Sequence, residues 1–312
     1  MSLKAPSLFT MTATSGERIS LESYQHGGFP FIVHTWLDHS NSGPVHSHNF
    51  VELVYIRRGS AVHHLAGRRY PVYSGDCFVV HPGRVHAYEE CRDLDLTNVL
   101  FRRALFGRDD AQLLRSSGFV GFFTLEPLFR AETGFRYKLH LGVTQQRPVL
   151  RLMDELQAEY DRQDSGWRTA CRALFHQLVV LLSRAFERSL STSHSREEFE
   201  GKRRVVAEAV AYLEKHLEHR VRRDDVAAAA FVSASTLAHT FRRQTGMSLV
   251  EYLTRMRIDL AMHLLADTSR TIPDISLSLG FHDPAYFSRV FRKATGLAPT
   301  AFRKRHARRI AR

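Results

Sequence analysis

Two sets of residues in this 312-residue chain have types and spacings that could do chemistry. The first is His46-x-His48-x3-Glu52, where two imidazoles and a carboxylate share parity and so face one side of a regular strand. Imidazole and carboxylate on one face offer metal-ligand and hydrogen-bonding chemistry. The second is a segment written twice, fifty positions apart: FVSASTLAHTFRRQTGM at 231–247 and FHDPAYFSRVFRKATGL at 281–297. Phe231, Phe241, Arg242, Thr245 and Gly246 recur as Phe281, Phe291, Arg292, Thr295 and Gly296, while Leu237, Arg243 and Met247 become Phe287, Lys293 and Leu297. The kept positions read as apolar core points, a basic pair and a helix-ending glycine. Two copies of one small helical unit, each presenting cations to solvent, suit the reading of two turns of one DNA duplex.

The elements that must position these residues are legible in outline. From Ile19 to about Phe101, short apolar runs are cut by Gly, Pro, Asn and Asp. FPFIVHTW, FVELVYIRRG, SAVHHLAGRRYPV, GDCFVVHPG and LTNVLF each read as a strand, with Gly67 and Gly75 at turns, which indicates a barrel or sandwich. Helical periodicity takes over near residue 108, and 111–146 is ambiguous. Val149, Leu152, Met153, Leu156 and Tyr160 form an apolar stripe over 148–163; Cys171, Leu174, Leu178, Leu181, Leu182 and Ala185 form another over 167–188. This helical pair either braces the barrel or meets its twin in a homodimer. STSHSREEFEGK (191–202) is polar and aperiodic, a linker.

Charge divides the chain. Residues 202–312 hold 21 Lys+Arg against 10 Asp+Glu, and this segment carries nearly all of the net +12. A near-neutral part joined to a basic part suggests a nucleic-acid module attached to something else. Three scattered cysteines (Cys77, Cys91, Cys171) argue against a disulfide framework and fit a reducing cytosol. No apolar run approaches a membrane span, and LFTMT is too short for a signal peptide, so a cytoplasmic, nucleoid-associated location without membrane contact is expected.

Residues 203–219 read as an amphipathic helix, DDVAAAAF as a close-packing first helix, and Ser233 as the N-cap of a helix running to Arg243. Ser248 and Glu251 make a capping box for a long helix over 249–266. The unit then restarts: Thr271 caps, Gly280-Phe281 turns, Asp283 caps and Pro284 takes the first helical position. The run IPDISLSLGFHDPAYFSRVFRKATGLAPTAFRK, with TGMSLVEYLTRMRIDLAMHLLADT before it, resembles the AraC/XylS family of bacterial transcription regulators over about a hundred residues. Ser276 and Arg223 depart from that pattern. The resemblance implies two helix-turn-helix units joined by a long helix, with reading helices in successive major grooves. Exposed reading positions are then Ser235, Ala238, His239 and Arg242 on the first helix, and Ala285, Ser288, Arg289 and Arg292 on the second. Arg289 suits a bidentate contact to guanine, and His239 is its counterpart. Arg242, Arg243, Arg292, Lys293, Arg303 and Lys304 suit phosphates. Asp274 and Asp283 are helix-start residues on a plain reading; in similar activators, acids at these places face the sigma subunit of RNA polymerase.

The N-terminal part, with His46, His48, Glu52 and Gly59, then Gly75-Asp76, His81-Pro82-Gly83 and His86, resembles the two motifs of the cupin barrel, although the second departs from the pattern. That resemblance implies that His46, His48, Glu52 and His86 converge in a barrel mouth, where they could hold a divalent metal. Related regulators use the same skeleton, without metal, to hydrogen-bond a sugar's hydroxyls, so no cofactor is required. His34 and Trp36 share a strand face and could line the pocket, with ordinary core packing the alternative for Trp36. HSHNFVELVYIRRG and LTNVLFR are similar to the L-rhamnose-responsive subgroup.

The expected architecture is a two-domain α+β chain: an N-terminal double-stranded β-helix (cupin-like) barrel with a helical dimerisation segment, then a C-terminal all-α tandem helix-turn-helix. Boundaries are a loose 1–18, barrel 19–146, helical pair 147–190, linker 191–202 and DNA-binding module 203–306. The leading function is a regulator binding double-stranded DNA under control of a sugar or sugar acid. The alternatives are a metal-dependent cupin enzyme with an appended basic domain and a nonspecific architectural DNA binder.

Overall fold

The computed structural model describes residues 18–21, 29–38, 45–65, 67–107, 110–133, 138–190, 204–245, 247–267 and 270–310. The linker, the helix-ending Gly246 and all of the N-terminal tail except Arg18 lie outside these residues. The chain forms two compact units. One comprises residues 1–102 and 133–179, the other 103–132 and 180–312.

The first unit is built on a sheet. Its strands are β1 (Arg18–Ile19), β2 (Phe31–Trp36), β3 (Ser47–His48), β4 (Val51–Leu65), β5 (Arg68–Tyr73), β6 (Asp76–Val80), β7 (His86–Phe101) and β8 (Leu139–His140). The main ladder runs β2-β7-β4-β6-β8, with β5 also paired to β4, and β1 pairs β3 separately. Among the described residues this ladder does not close on itself. Two runs expected as separate strands are one 15-residue strand, β4, that bends. Strand β7 reaches back to His86, well before the expected Leu96, because its charged middle stretch is held by pairing with β4 rather than by apolar alternation.

The bend in β4 has a local cause. The β4–β7 register shifts between Ile56 and Val62. Gly59 sits there at φ +77°, and a Cβ would lie 2.2 Å from the Arg92 carbonyl oxygen, so only glycine fits. Before the bend, Val54 and Ile56 enter the sheet's apolar cluster; after it, Ala61 and Leu65 do. Inward parity therefore changes from even to odd.

Helix α4 (Val143–Arg162) and the first part of α5 (Trp167–Ser189) pack on this sheet. Phe31 meets Tyr160 and Phe175 at ring-centroid distances of 6.2 and 5.4 Å, and Phe101 meets Phe175 at 4.7 Å. The α4 stripe is buried as expected. On α5, Leu174 and Leu181 are half-buried, while Phe175, Val179 and Phe186 are buried beside Cys171, Leu178, Leu182 and Ala185. The inner stripes thus brace their own units.

The second unit is helical. Residues 103–132, which overlap the stretch 111–146 left ambiguous in sequence, supply α1 (Ala111–Leu114), α2 (Ser117–Phe119), a π-helical turn at Val120–Leu125 and nearly all of α3 (Glu126–Thr133). Gly118 and Gly121 admit the end of α5, where added Cβ atoms would lie 2.2 Å from the Ser183 carbonyl oxygen and 2.6 Å from the Phe186 ring. Then follow α6 (Arg204–Lys215), α7 (Arg223–Ala229), α8 (Ala234–Thr245), α9 (Leu249–Asp267), α10 (Ile272–Ser278), α11 (Pro284–Thr295) and α12 (Pro299–Ile310). The caps are as expected. Ser233 Oγ accepts from Thr236 N, Thr271 Oγ1 from Asp274 N, and Asp283 Oδ1 from Ala285 N. Ser248 and Glu251 cap reciprocally.

One expectation is corrected. Phe231 is not the equivalent of the buried Phe281. In the first turn Phe231 N donates to Ala228 O and Val232 N to Ala227 O; in the second, Gly280 N donates to Leu277 O and Phe281 N to Ser276 O. Phe231 thus takes the place of Gly280. It is 79% exposed, at φ +57°.

Candidate functional site

The inner face of the sheet gathers the N-terminal candidates. Pairing sets His34 opposite Asn98, and Asn98 opposite Val54. Beyond the β3–β4 corner, His46 and His86 exchange two backbone hydrogen bonds (3.1 and 2.9 Å), which fixes β7 against the segment carrying His48. His46, His48, Glu52, His63, His86 and Asn98 are all buried.

Within this face, three groups converge. His48 Nε2 lies 3.2 Å from Glu52 Oε2, and His86 Nε2 lies 3.5 Å from the same oxygen. Their neighbours orient them. His48 Nδ1 lies 2.8 Å from the Phe50 carbonyl; a carbonyl only accepts, so Nδ1 carries the proton and Nε2 faces the carboxylate. Asn98 Nδ2 donates to Glu52 Oε1 at 2.6 Å. His86 Nδ1 lies 3.2 Å from His63 Nε2, and the His63 ring stacks on Tyr88. His46 does not join the donor set. Its ring lies 4.3 Å from that of His86, but among the described residues the ligating atoms that converge within 4.8 Å are those of His48, Glu52 and His86. Two imidazoles and a carboxylate, each held by an outer partner, fit the donor chemistry of a divalent cation. They equally fit hydroxyl groups, which can donate to the carboxylate and accept from imidazole.

His34 and Trp36 flank this cluster, with rings 4.4 Å apart edge to face. Burial lowers the His34 imidazole below its ordinary value, with the Asp161 carboxylate opposing, so its surroundings favour the neutral ring. Trp36 also packs on the apolar cluster of the sheet, the core role that its sequence reading left open. Sequence reasoning missed Asn98 and His63. Each had a readable signal: a polar residue at an inward position, between Leu96 and Leu100 in one case and Ala61 and Leu65 in the other.

The reading faces lie in the second unit. On α8, Leu237 and Phe241 are fully buried, and on α11 Phe287 and Phe291 are. This inner edge turns Ser235, Ala238, His239, Arg242 and Arg243 outward on α8, and Ala285, Arg289, Arg292 and Lys293 outward on α11. Ser288 is half-buried and donates to the Pro284 carbonyl. Both helices end on the same latch. Thr245 Oγ1 and Thr295 Oγ1 lie 2.7 and 2.9 Å from the carbonyls of Phe241 and Phe291, and accept from Met247 N and Leu297 N. Asp274 and Asp283 are exposed and engaged in their own caps. Arg303 is half-buried and donates to the Arg270 carbonyl at 2.5 Å, while Lys304 is exposed. No helix among the described residues is long and apolar enough to cross a membrane.

Known proteins share both parts. A helix-turn-helix domain family matches residues 226–305, and the AraC-like ligand binding domain family matches residues 29–179. The HTH-type transcriptional activator RhaS of Escherichia coli is 30% identical over 265 residues, spanning 84% of this chain and 87% of its own. The HTH-type transcriptional activator RhaR of Shigella boydii is 31% identical over 260 residues, spanning 83% and 86%. RhaS of an Enterobacter species is 30% identical over 288 residues, spanning 91% and 96%.

Proposed function

Since the chain belongs to the AraC family of DNA-binding transcription regulators, and is a regulator rather than an enzyme, we propose that it activates transcription when a small polyhydroxylated molecule fills the first unit. A sugar of the rhamnose type or a related sugar acid suits the cradle. One observation carries this reading: a buried carboxylate and two imidazoles share a face with Asn98, beside the paired rings of His34 and Trp36. Burying such groups is unfavourable unless they are hydrogen-bonded, and a sugar's hydroxyls meet that need while a ring face rests on Trp36.

The effector acts by differential affinity, because a ligand that binds two arrangements equally shifts neither. The exposed faces of residues 147–190, opposite the stripes that brace the units, supply the contact of a homodimer, and two DNA modules then sit on repeated half-sites. Arg289 and His239 read bases, the basic pairs meet phosphates, and Asp274 and Asp283 face the sigma subunit of RNA polymerase. The protein works in the cytoplasm, at the nucleoid.

A thermal-shift screen of sugars and sugar acids tests the central point. Ligand at about 100 times Kd stabilises by about 2.7 kcal/mol. A sugar should raise the melting temperature of the parent chain and leave Glu52→Gln unmoved. If no sugar or sugar acid moves the parent while it still binds a specific duplex, the carbohydrate reading fails. A divalent cation is the second reading, favoured by the convergence of His48, Glu52 and His86. These three would hold it, and it would supply a Lewis-acidic anchor for an effector oxygen. Metal analysis of the purified chain, with His48→Ala as control, decides between the two.

A further inference from the structure

Outside both reading faces, one buried side chain joins the two helix-turn-helix copies. Arg257 lies on α9, the helix between them, and is 8% exposed. Its guanidinium donates to three backbone carbonyls. Nε reaches Leu217 O at 3.2 Å, one terminal nitrogen reaches His219 O at 2.6 Å, and the other reaches Gly280 O at 3.1 Å. Leu217 and His219 lie in the connection from α6 to α7, and α6 packs on both helices of the first copy. Gly280 forms the turn of the second. The guanidinium also stands 5.8 Å from the centre of the Phe281 ring.

Gly280 is shaped to this contact. Its φ is +71°, and a Cβ would lie 2.6 Å from the nearer terminal nitrogen of Arg257. The position therefore needs glycine both for its backbone and for the space the guanidinium occupies.

Leu217, His219 and Gly280 lie just past the C-terminal ends of α6 and α10, near the negative poles of those helices, which suits a cation. Three carbonyls of fixed direction need the rigid fork of arginine; a lysine ammonium is a compact charge that cannot span them. Apolar packing along α9 is non-directional and tolerates small sliding, whereas three directional bonds from one planar group do not. The two copies are thereby held at one mutual angle. Two reading helices in successive grooves must present themselves about one helical repeat, ~34 Å, apart along the duplex.

We infer that Arg257 is a positioning residue that fixes the spacing of the two reading helices, and through it the number of base pairs accepted between their subsites. It acts through the backbone at Leu217, His219 and Gly280. The inference rests on the reading that both helices engage one duplex.

The test uses the full chain and a duplex enriched from a random pool by the parent protein, with its two subsites located by footprinting. One base pair is then inserted or deleted between the subsites. The parent should lose about tenfold in affinity, the scale of a mismatched contact. Arg257→Met keeps an apolar stem without the fork, and Gly280→Ala displaces the fork from the other side. Each should bind the original duplex more weakly and discriminate between spacings by about twofold or less, with Arg257→Lys intermediate. Circular dichroism establishes the temperature at which each variant is folded, and if Arg257→Met does not fold, Gly280→Ala decides. A residue that only supports the fold would weaken binding to all spacings in proportion. That result, or a spacing ratio equal to the parent's in a folded variant, overturns the inference alone. A parent with no spacing preference overturns the two-groove reading, and this inference with it.

Discussion

The two helix-turn-helix copies reach one geometry through different turns. Their reading helices match at a step of fifty residues: the caps are Ser233 and Asp283, the buried pairs Leu237–Phe241 and Phe287–Phe291, the latches Thr245 and Thr295. Their first helices match at a step of forty-nine, as the turn hydrogen bonds show. The second turn is one residue longer, and it uses Gly280 where the first uses an exposed Phe231 in the left-handed region. Capping and the buried pair are kept, while turn length and turn residue vary. Residue type differs where the fold is indifferent: the outward position is His239 on one helix and Arg289 on the other.

The strongest way to break this equivalence is to empty the shared core. Phe241→Ala and Phe291→Ala each remove a fully buried ring, and each should lower unfolding free energy by about 3–5 kcal/mol in denaturant titrations. A loss confined to one would show that the copies do not share a stabilising role. Next come the reading positions. Arg289→Ala should cost about 1–3 kcal/mol of binding to the selected duplex and relax preference at one base step. His239→Ala should cost less, since an imidazole has fewer donors than the guanidinium fork; equal losses would make the helices equal readers. The caps differ in charge. Ser233→Ala and Asp283→Ala should each destabilise by about 1 kcal/mol. Only the Asp283 loss should shrink as salt rises, because a carboxylate also faces the helix's positive end. The smallest effect is at the turn. Phe231→Gly relieves a left-handed phenylalanine at some entropic cost, for a net gain of about 0.5–1 kcal/mol in melting experiments. A loss would show that the ring has a packing role despite its exposure.

The tandem helical module was readable in near-final form because its signals are local. Thr271, Asp283, Pro284 and the Ser248–Glu251 box each act within four residues, and the structure realises all of them. Phe231 misled because identical letters at a fixed distance suggest identical places, while the turn length that separates those places leaves little trace in composition. The sheet was less legible. His46, His48 and Glu52 share parity on a short run, but Asn98 meets Glu52 across 46 residues and His63 meets His86 across 23. Such pairings depend on register, which no local pattern states. The ambiguous stretch 111–146 was obscure for the same reason: Gly118 and Gly121 make sense only once Ser183 and Phe186 press against them.

The bend at Gly59 makes the pocket sensitive to length where it is tolerant of chemistry. Deleting one residue between Arg57 and Ser60 would make the step from Ile56 to Ala61 even, so a regular strand would keep both inward, and the bend, with the β7 register it sets, would be lost. A neighbour swapped for another of similar size leaves that arrangement standing. Beside the fixed glycine, variation around this corner is therefore freer in its letters than in its count.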